Sequence, residues 1–451
     1  MIINDETARF IRQHRSDDVR TLALKGSKDK AVDMPFALDQ IQGWQTARQK
    51  LPTWAAAEGI IYPPHLNMEQ CSSEETARYK HECIAQFCEP DKATLIDLTG
   101  GFGADFSLMS RGFHHAVYVE RNASLVEVAQ HNFEVLGLHN VEVVNGDGVA
   151  YLHQLTAKMK SGETVATHGK TVIYLDPARR DSHGKKVFRL ADCTPNVLSI
   201  RDELLLCADV IMIKLSPMLD WHEAVKQLTA QLPSVIKGVQ CEVHVVSVKN
   251  ECKELLIVLQ PLSSTDVGGI KIVCVNDRQR FETEIAKNAR QVPLLLDQAP
   301  ADGTEQYLFV PNASVMKTGL FAPLSHAFNL RMLDRDTHYY IGEEDIETFP
   351  GRRFRITAVS GMNKKELSKK LAGITQANIA TRNFPLSAVA LRKRLKLRDG
   401  GNKYLFGTTL LGDHVVIICD SVSLVKTEDI HPPKTGISVH FCVLSLMAMQ
   451  K

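Results

Sequence analysis

Apolar runs and helical stretches alternate through the middle of the chain. Five runs long enough for buried strands lie at residues 94–98, 116–119, 141–144, 171–175 and 210–213. Such alternation is typical of a parallel sheet with helices on both faces. Two more apolar runs, residues 243–248 and 255–259, are separated by only six residues. That gap is too short for a crossover helix, so the pattern predicts an antiparallel hairpin that closes the sheet.

The flanking regions have other patterns. In residues 1–90, apolar positions such as Ile41, Trp44 and Ala47 recur at three-residue spacing, which favours helices. Beyond the hairpin, shorter stretches predict two small α+β domains, with a strand at 270–275 and a helix at 283–290. We therefore predict five segments: a helical domain 1–90, an α/β domain 91–262, small domains 263–348 and 349–420, and a tail 421–451 without assigned structure.

The composition is that of a globular protein. Hydrophobic residues make up 44% of the 451 residues and charged residues 23%. The ten cysteines include no C-x-x-C pair and no zinc spacing, so we expect reduced thiols and no metal site. The start of the chain lacks the apolar core of a signal peptide, and the longest apolar run, 439–449, is too short to cross a bilayer. We expect a cytoplasmic protein without a membrane partner, and the sequence does not indicate its oligomeric state.

Candidate ligand-binding residues stand at the ends of the first three predicted strands. Asp97 begins a turn that contains Gly101 and Gly103, Glu120 ends the second strand, and Asp147 follows the third. Ligands of open α/β sheets bind at the carboxyl ends of strands, so these residues are predicted to converge on one crevice. Glycines let the backbone approach a ligand closely, and a carboxylate suits the two hydroxyls of a ribose.

A dinucleotide site is the first alternative for this crevice. Its fingerprint needs a small residue where Phe106 stands in this chain. A second acidic residue after the third strand, Asp147, is also not expected of a dinucleotide site. Both features disfavour that alternative.

The spacing of these residues resembles the class I S-adenosylmethionine-dependent methyltransferases over about residues 93–260. The resemblance implies a Rossmann-like, seven-stranded sheet of the α/β class and S-adenosyl-L-methionine as cofactor. Asp97, Gly101 and Gly103 would lie along its methionine part, Glu120 on the ribose and Asp147 on the adenine. Thr99, which we include in the cofactor-binding set, stands where the family usually has glycine. Nucleic-acid methyltransferases often replace that glycine.

The fourth strand leads into Asp176, Pro177, Ala178 and Arg179. This segment resembles the D/N-P-P-aromatic motif with which members of the family methylate exocyclic amines. Asp176 and Pro177 match, and together with Arg179 they form our predicted catalytic set, in which the Arg179 plane would stack on a base or hold a phosphate. A covalent intermediate would need a cysteine nucleophile just after the next strand, and no cysteine stands there. The sequence therefore favours direct methyl transfer. Lys214 either lies in the same crevice or is structural.

Charge is distributed unevenly along the chain. From Gly351 to Gly400 there are 13 Lys and Arg against two acidic residues, a net charge of +11, which leaves −10 for the rest of a chain whose total is +1. Such asymmetry suits a polyanion, although a single basic run is more often a solvated helix face. Most of these cations lie on two predicted helices. The candidate nucleic-acid-binding residues are Lys364, Lys365, Lys369, Arg382, Arg392, Lys393 and Arg394.

Two C-terminal stretches carry a further resemblance. Residues 377–385 with 400–406 resemble the THUMP-like domain of a bacterial group of methyltransferases, and residues 307–317 resemble the small ferredoxin-like domain that precedes it. Together these features imply an RNA methyltransferase that acts on tRNA or ribosomal RNA. Two alternatives stay open: a methyltransferase of a protein or small molecule, and a non-catalytic RNA-binding protein with a relic cofactor pocket.

Overall fold

The computed structural model describes residues 4–162, 169–178, 189–286, 291–298 and 305–422. The N-terminal region is helical, as the three-residue spacing predicts. Asp18, Asp33 and Ser73 each accept a backbone amide at the start of the following helix, which satisfies a donor that has no partner inside the helix. The helices are α1 (Asp5–His14), α2 (Val19–Lys25), α3 (Met34–Lys50), α4 (Pro52–Ala56), α5 (His65–Gln70) and α6 (Glu74–Ile84).

The first sheet has nine strands in the order β3-β2-β1-β4-β5-β7-β6-β8-β9. Strands β1 to β5 are parallel, and β7 runs antiparallel to both β5 and β6. The strands are β1 (Thr94–Asp97), β2 (His115–Glu120), β3 (Val141–Asn145), β4 (Thr171–Leu175), β5 (Val210–Leu215), β6 (Gly238–Val248), β7 (Glu251–Leu262), β8 (Ile270–Asn276) and β9 (Gln279–Ile285). The helices that pack on them are α7 (Ala104–Met109), α8 (Ala123–Val135), α9 (Gly148–Ser161), α10 (Val197–Cys207) and α11 (Trp221–Thr229).

The first sheet corrects two expectations. It has nine strands instead of seven, because β8 pairs in parallel with β6 and β9 continues the sheet beyond it. The predicted helix at 283–290 is wrong where it is described, because residues up to Ile285 belong to β9. Buried Phe281 between exposed Arg280 and Glu282 shows the two-residue period of a strand. The predicted hairpin of residues 243–259 is confirmed as β6 and β7.

The second sheet has seven strands in the order β11-β12-β10-β13-β16-β15-β14. Both predicted small domains contribute to it, since β10 pairs with β13 from Tyr307 opposite Arg355 to Pro311 opposite Gly351. The elements are β10 (Tyr307–Pro311), α12 (Ala313–Thr318), α13 (Phe321–Ala327), β11 (Arg331–Met332), β12 (Tyr340–Gly342), β13 (Gly351–Gly361), α14 (Lys364–Lys370), β14 (Asn378–Thr381), α15 (Ala388–Leu395), β15 (Lys403–Leu410) and β16 (Asp413–Ser421).

Apolar side chains fill both faces of the first sheet, and the N-terminal helices pack beside it. Trp54 donates its indole N–H to the hydroxyl of Ser107 in α7 (3.1 Å), and Asn132 in α8 exchanges two hydrogen bonds with the backbone of Ile61 (2.8 and 2.9 Å). These hydrogen bonds satisfy buried polar groups and hold the N-terminal helices against the helices of the first sheet. No helix within the described part of the chain is long and apolar enough to span a membrane.

Candidate active site

The ends of β1, β2 and β3 meet at one edge of the first sheet. Gly146, which follows β3, donates its amide to the carbonyl of Glu120 at the end of β2 (3.0 Å). A Cβ atom on Gly148 would lie 2.0 Å from the carbonyl oxygen of Leu98, directly after β1. Asp147 stands between these two contacts, so it lies beside both of the other strand ends.

The turn after β1 requires glycine. A Cβ atom on Gly100 would lie 2.3 Å from the ring of Tyr118, and one on Gly103 would lie 2.8 Å from the ring of Phe133. Gly101 and Gly103 also have φ angles of +54° and +83°, which favour glycine. At Gly101 the nearest atom to such a Cβ is 3.7 Å away, so the outer side of the turn is open.

Backbone amides fix the carboxylates at this edge. Glu120 accepts one amide on each oxygen, from Gly101 and from Asn122 (2.8 Å each). Asp147 is exposed, and its Oδ1 caps α9 by accepting two backbone amides of the first turn (3.0 Å each). Asp147 is therefore the N-cap of α9, a role that the sequence analysis did not predict, and its Oδ2 is left for a ligand. Each Glu120 oxygen also keeps a lone pair.

These groups fit a nucleoside ligand. A fixed carboxylate with acceptor capacity on both oxygens suits two neighbouring ribose hydroxyls, and a second carboxylate on the adjacent strand suits an amine donor. The open side of the turn at Gly101 lets a ligand approach the backbone. The structure therefore brings the predicted residues Gly101, Glu120 and Asp147 together along one edge of the first sheet.

Thr99 connects this edge to the end of β4. Its backbone amide donates to Oδ1 of buried Asp97 (2.8 Å), and its hydroxyl oxygen accepts the backbone amide of Asp176 (2.6 Å). A glycine at this position would lack the hydroxyl, so the departure from the family pattern has a structural consequence. Burial raises the pKa of Asp97 to about 8, and the nearby Asp105 and Asp176 carboxyl groups add to the shift.

Asp176 forms an ion pair with a lysine on the next strand. Its Oδ2 lies 2.7 Å from Nζ of Lys214, so Lys214 does lie in the crevice. Beyond Pro177, Ala178 exchanges two backbone hydrogen bonds with Thr194 (2.7 and 3.0 Å), which holds the start of the loop. Arg179 lies outside the described residues, so its catalytic role stays a prediction.

Lys214 belongs to a larger set of charges, which we call the ion cluster: Lys80, Asp105, Asp176, Lys214 and Glu254. Nζ of Lys80 lies 3.0 Å from Asp105 and 2.5 Å from Glu254. The hydroxyl of Ser72 joins the members, since it lies 2.7 Å from Asp105, 3.0 Å from Glu254 and 2.9 Å from Nζ of Lys214. Tyr174 adds a hydrogen bond from its hydroxyl to Asp105 (2.9 Å).

Opposite charges shift the pKa values of Asp105 and Lys214 so that each favours its charged form. Burial alone would raise the pKa of Asp105, but Lys80 and Lys214 outweigh it and hold the pKa well below its usual range. Burial alone would lower the pKa of Lys214, but Asp176 and Asp105 outweigh it and raise the pKa well above that of an ordinary lysine. The Lys214 ammonium therefore stays protonated throughout the physiological range.

Lys80, Asp105 and Glu254 did not enter the predicted site. They lie on α6, α7 and β7, far apart in the sequence and joined only by the fold. A local signal does exist for Lys80, which shares the three- and four-residue spacing of the buried residues Ala77 and Ile84. A lysine on the buried face of a helix indicates a buried partner, but the sequence does not identify that partner.

A cavity of about 1110 Å³ opens above the ion cluster. Asp176, Pro177, Lys214 and Glu254 form part of its wall, and residues of α3, α5 and the start of α6 also line it. Asp176 is thus shared between this cavity and, through the Thr99 hydroxyl, the edge formed by the glycine turn.

The basic helices α14 and α15 pack on the same face of the second sheet. Leu367 of α14 and Leu391 of α15 belong to one apolar cluster with β15 and β16. Arg394 donates to the carbonyl of Met362, just before α14 (3.4 Å). The exposed cations on this pair of helices are Lys364, Lys365, Lys369, Lys393 and Arg394.

Two predicted RNA-binding arginines have partners within the protein. Arg382 stacks over the ring of Tyr339 (4.7 Å) and lies 3.4 Å from the carbonyl of His338, so it connects β14 to the loop before β12. Arg392 pairs with Asp399 (2.5 Å). RNA binding by either residue stays a prediction, and both have a structural role.

A metal site is not apparent in the described residues, because no group of three or more His, Cys, Asp or Glu side chains there could hold an ion.

Comparisons with known proteins agree with this architecture. A model described as a ferredoxin-like domain matches residues 307–350, and one described as THUMP domain-like matches residues 351–421. The crystal structure of a candidate methyltransferase from Porphyromonas gingivalis W83 has a TM-score of 0.75 to this chain at 27% identity, and the match covers 94% of this chain and 100% of that one.

More distant similarities cover parts of the chain. An uncharacterized RNA methyltransferase of Mycoplasma mobile is 30% identical over 158 residues, which are 35% of this chain and 40% of the relative's own length. An O-methyltransferase from Bacillus cereus has 15% identity and a TM-score of 0.32, with 55% of this chain and 99% of that one covered. This chain thus spans less than half of the curated relative that it matches.

The chain has the methyltransferase fold. A ferredoxin-like and a THUMP-like segment follow that fold and share one sheet, which confirms the resemblance drawn from the sequence.

Proposed function

We propose that this chain is an S-adenosylmethionine-dependent methyltransferase that acts on RNA, either tRNA or ribosomal RNA, by direct transfer. The observation that carries the proposal is the Thr99 hydroxyl, which joins the nucleoside-type edge to Asp176 (2.6 Å to its amide). When bound, the cofactor supplies a methyl group on a sulfonium, which is already a good leaving group. The protein therefore has to position the acceptor and exclude water.

Each residue at the edge has a role in this proposal. Glu120 accepts from the ribose hydroxyls and Asp147 from the adenine amino group. Asp97, Thr99, Gly101 and Gly103 shape the turn along the methionine part. On the acceptor side, Asp176 and Pro177 line the cavity, with Arg179 following them. We therefore expect changes at Glu120 to act on cofactor affinity and changes at Asp176 to act on turnover.

RNA as the substrate class is supported by the second sheet. Two adjacent basic helices present exposed lysines and arginines, which suit a phosphate backbone. The match to a THUMP domain-like model and the description of the Mycoplasma mobile relative point in the same direction.

Cofactor binding is tested by calorimetry with S-adenosylhomocysteine. Glu120→Ala should weaken binding about tenfold or more, since it removes a charge-assisted acceptor. Glu142→Ala is the matched control, because Glu142 lies on the adjacent strand β3 with its side chain 55% exposed. Absence of binding in the unmodified chain would contradict the methyltransferase proposal and favour a non-catalytic RNA-binding protein.

The substrate class is tested with a methyl-labelled cofactor and an extract of cells that lack the gene. Ribonuclease treatment of the extract should abolish incorporation of label. Incorporation that survives this treatment would instead identify a protein or small molecule as the acceptor, while the cofactor assignment would stand.

A further inference from the structure

The members of the ion cluster differ in solvent exposure. The side chains of Lys80 and Glu254 are 0% and 4% exposed, Asp105 and Lys214 are 10% and 11% exposed, and Asp176 is 40% exposed. Asp176 is therefore the member that reaches furthest into the cavity, and the Lys214 ammonium lies directly against it. An acceptor that meets Asp176 also meets the field of a fixed cation.

A fixed cation favours one kind of acceptor. An exocyclic amine that takes a methyl group develops positive charge, which a neighbouring ammonium opposes. A hydroxyl that loses its proton develops negative charge on oxygen, which an ammonium stabilises, most strongly where water is excluded. The amine motif is also incomplete, because Ala178 replaces its second proline.

We propose that the acceptor is a hydroxyl oxygen, namely the ribose 2′-hydroxyl of RNA, and that Asp176 and Lys214 act on it together. This inference rests on the proposed function and adds the acceptor atom to it. The 2′-hydroxyl is the hydroxyl that every nucleotide inside an RNA chain offers. Asp176 and Lys214 are the catalytic residues, and Ser72, Lys80 and Glu254 are positioning residues behind them.

The hydroxyl proton passes to Oδ1 of Asp176, the oxygen that Lys214 does not hold. The acceptor oxygen forms a bond to the methyl carbon while the carbon–sulfur bond breaks, and that electron pair stays on sulfur. The products are a methyl ether and a neutral thioether, and the proton leaves Asp176 for water in the cavity. Lys214 keeps its proton throughout.

The positioning residues act through Lys214. Ser72 lies 2.9 Å from its Nζ, and Lys80 pairs with both Asp105 and Glu254, which weakens their pull on the Lys214 ammonium. Asp105 lies 3.5 Å from Nζ of Lys214, against 2.7 Å for Asp176, so the ammonium is held nearer to the cavity.

The acceptor is tested with the full chain, a methyl-labelled cofactor and RNA from a strain that lacks the gene. A 2′-O-methyl group blocks alkaline cleavage of the adjacent phosphodiester, so we expect the label in alkali-resistant dinucleotides. Label in mononucleotides would overturn the hydroxyl acceptor and leave the RNA methyltransferase proposal standing. RNA without label would overturn the proposed function, and this inference with it.

Variants test the role of the cation. Lys214→Met should reduce transfer at least a hundredfold, Lys214→Arg should retain part of it, and both should bind S-adenosylhomocysteine within threefold of the unmodified chain. Lys226→Met is the matched control, because Lys226 is an exposed lysine on α11 that pairs with Glu223. Normal transfer in Lys214→Met, or a parallel loss of S-adenosylhomocysteine binding, would overturn the assignment.

The positioning role is tested with Ser72→Ala and Ser72→Thr. Ser72→Ala removes an acceptor for the Lys214 ammonium, so kcat should fall about tenfold while the KM for RNA and the affinity for S-adenosylhomocysteine stay unchanged, and Ser72→Thr, which keeps the hydroxyl, should restore kcat. A parallel loss of kcat and S-adenosylhomocysteine affinity, or no recovery in Ser72→Thr, would overturn the positioning role.

Discussion

The ion cluster and the basic helices are both strongly charged, but they differ in what surrounds the charges. In the ion cluster, Lys80 is fully buried between Asp105 and Glu254. On the basic helices, Lys364 and Lys365 are exposed to solvent. A buried charge depends on the exact position of its partner, whereas exposed charges act through their number and shared sign.

This difference in burial determines how the charges of the ion cluster and of the basic helices can act. A cation held 2.7 Å from a carboxylate inside the protein can act on one acceptor atom. A row of solvated cations attracts any polyanion and is screened by salt. Under the proposed function, the ion cluster selects the acceptor atom and the basic helices capture the RNA, so the two regions should respond differently to substitution.

The largest effect is expected at Lys80, the most buried member of the ion cluster. Lys80→Met should destabilise the fold by about 3–5 kcal/mol, because it leaves Asp105 and Glu254 buried without their cation. Urea denaturation measures the change. Lys365→Met should unfold like the unmodified chain, and equal effects of the two substitutions would remove the contrast between buried and exposed charge.

The next largest effect concerns RNA. Reversal of Lys364, Lys365, Arg392 and Arg394 to Glu should weaken RNA binding about a hundredfold and flatten its salt dependence, because fewer counterions are released. S-Adenosylhomocysteine binding should not change. The control reverses four exposed lysines of the first sheet's domain, Lys92, Lys158, Lys160 and Lys226. If that control weakens RNA binding equally, the basic helices are not the interface.

A smaller effect follows from the pKa of Asp97, which burial raises to about 8. A cationic cofactor favours the carboxylate, so binding should release a proton at pH 7, and affinity should rise up to about tenfold per pH unit until pH 8. The free energy of unfolding of the cofactor-free protein depends on pH in the opposite sense. It falls as pH rises from about 4 to 8, because Asp97 ionises at a lower pH in the unfolded chain than in the folded one. Calorimetry in buffers of different ionisation heat measures the release, which Asp97→Asn should abolish.

The smallest effect is expected at Thr99. Thr99→Val removes the acceptor for the Asp176 amide, which is worth about 1 kcal/mol, and should lower turnover about fivefold, more than it lowers cofactor affinity. Thr99→Ser keeps the hydroxyl and should behave like the unmodified chain. A loss of cofactor affinity with unchanged turnover in Thr99→Val would assign Thr99 to the cofactor edge alone.

Sequence patterns predicted features that depend on neighbouring residues. The alternation of apolar runs predicted β1 to β5, and the six-residue gap predicted the hairpin of β6 and β7. The run at 270–275 was predicted as a strand, but neither β8 nor β9 was predicted to join the first sheet. Pairing partners of edge strands are decided by contacts distant in the sequence.

The sequence by itself predicted that acidic residues end the first strands and that basic residues concentrate in one C-terminal region, since strand-forming runs are local and charge is additive. Only the tertiary structure decided that Lys80, Asp105, Lys214 and Glu254 form one cluster behind Asp176. The physical reason is that a buried charge is tolerated only beside a partner, and the fold, not the local sequence, brings that partner within reach.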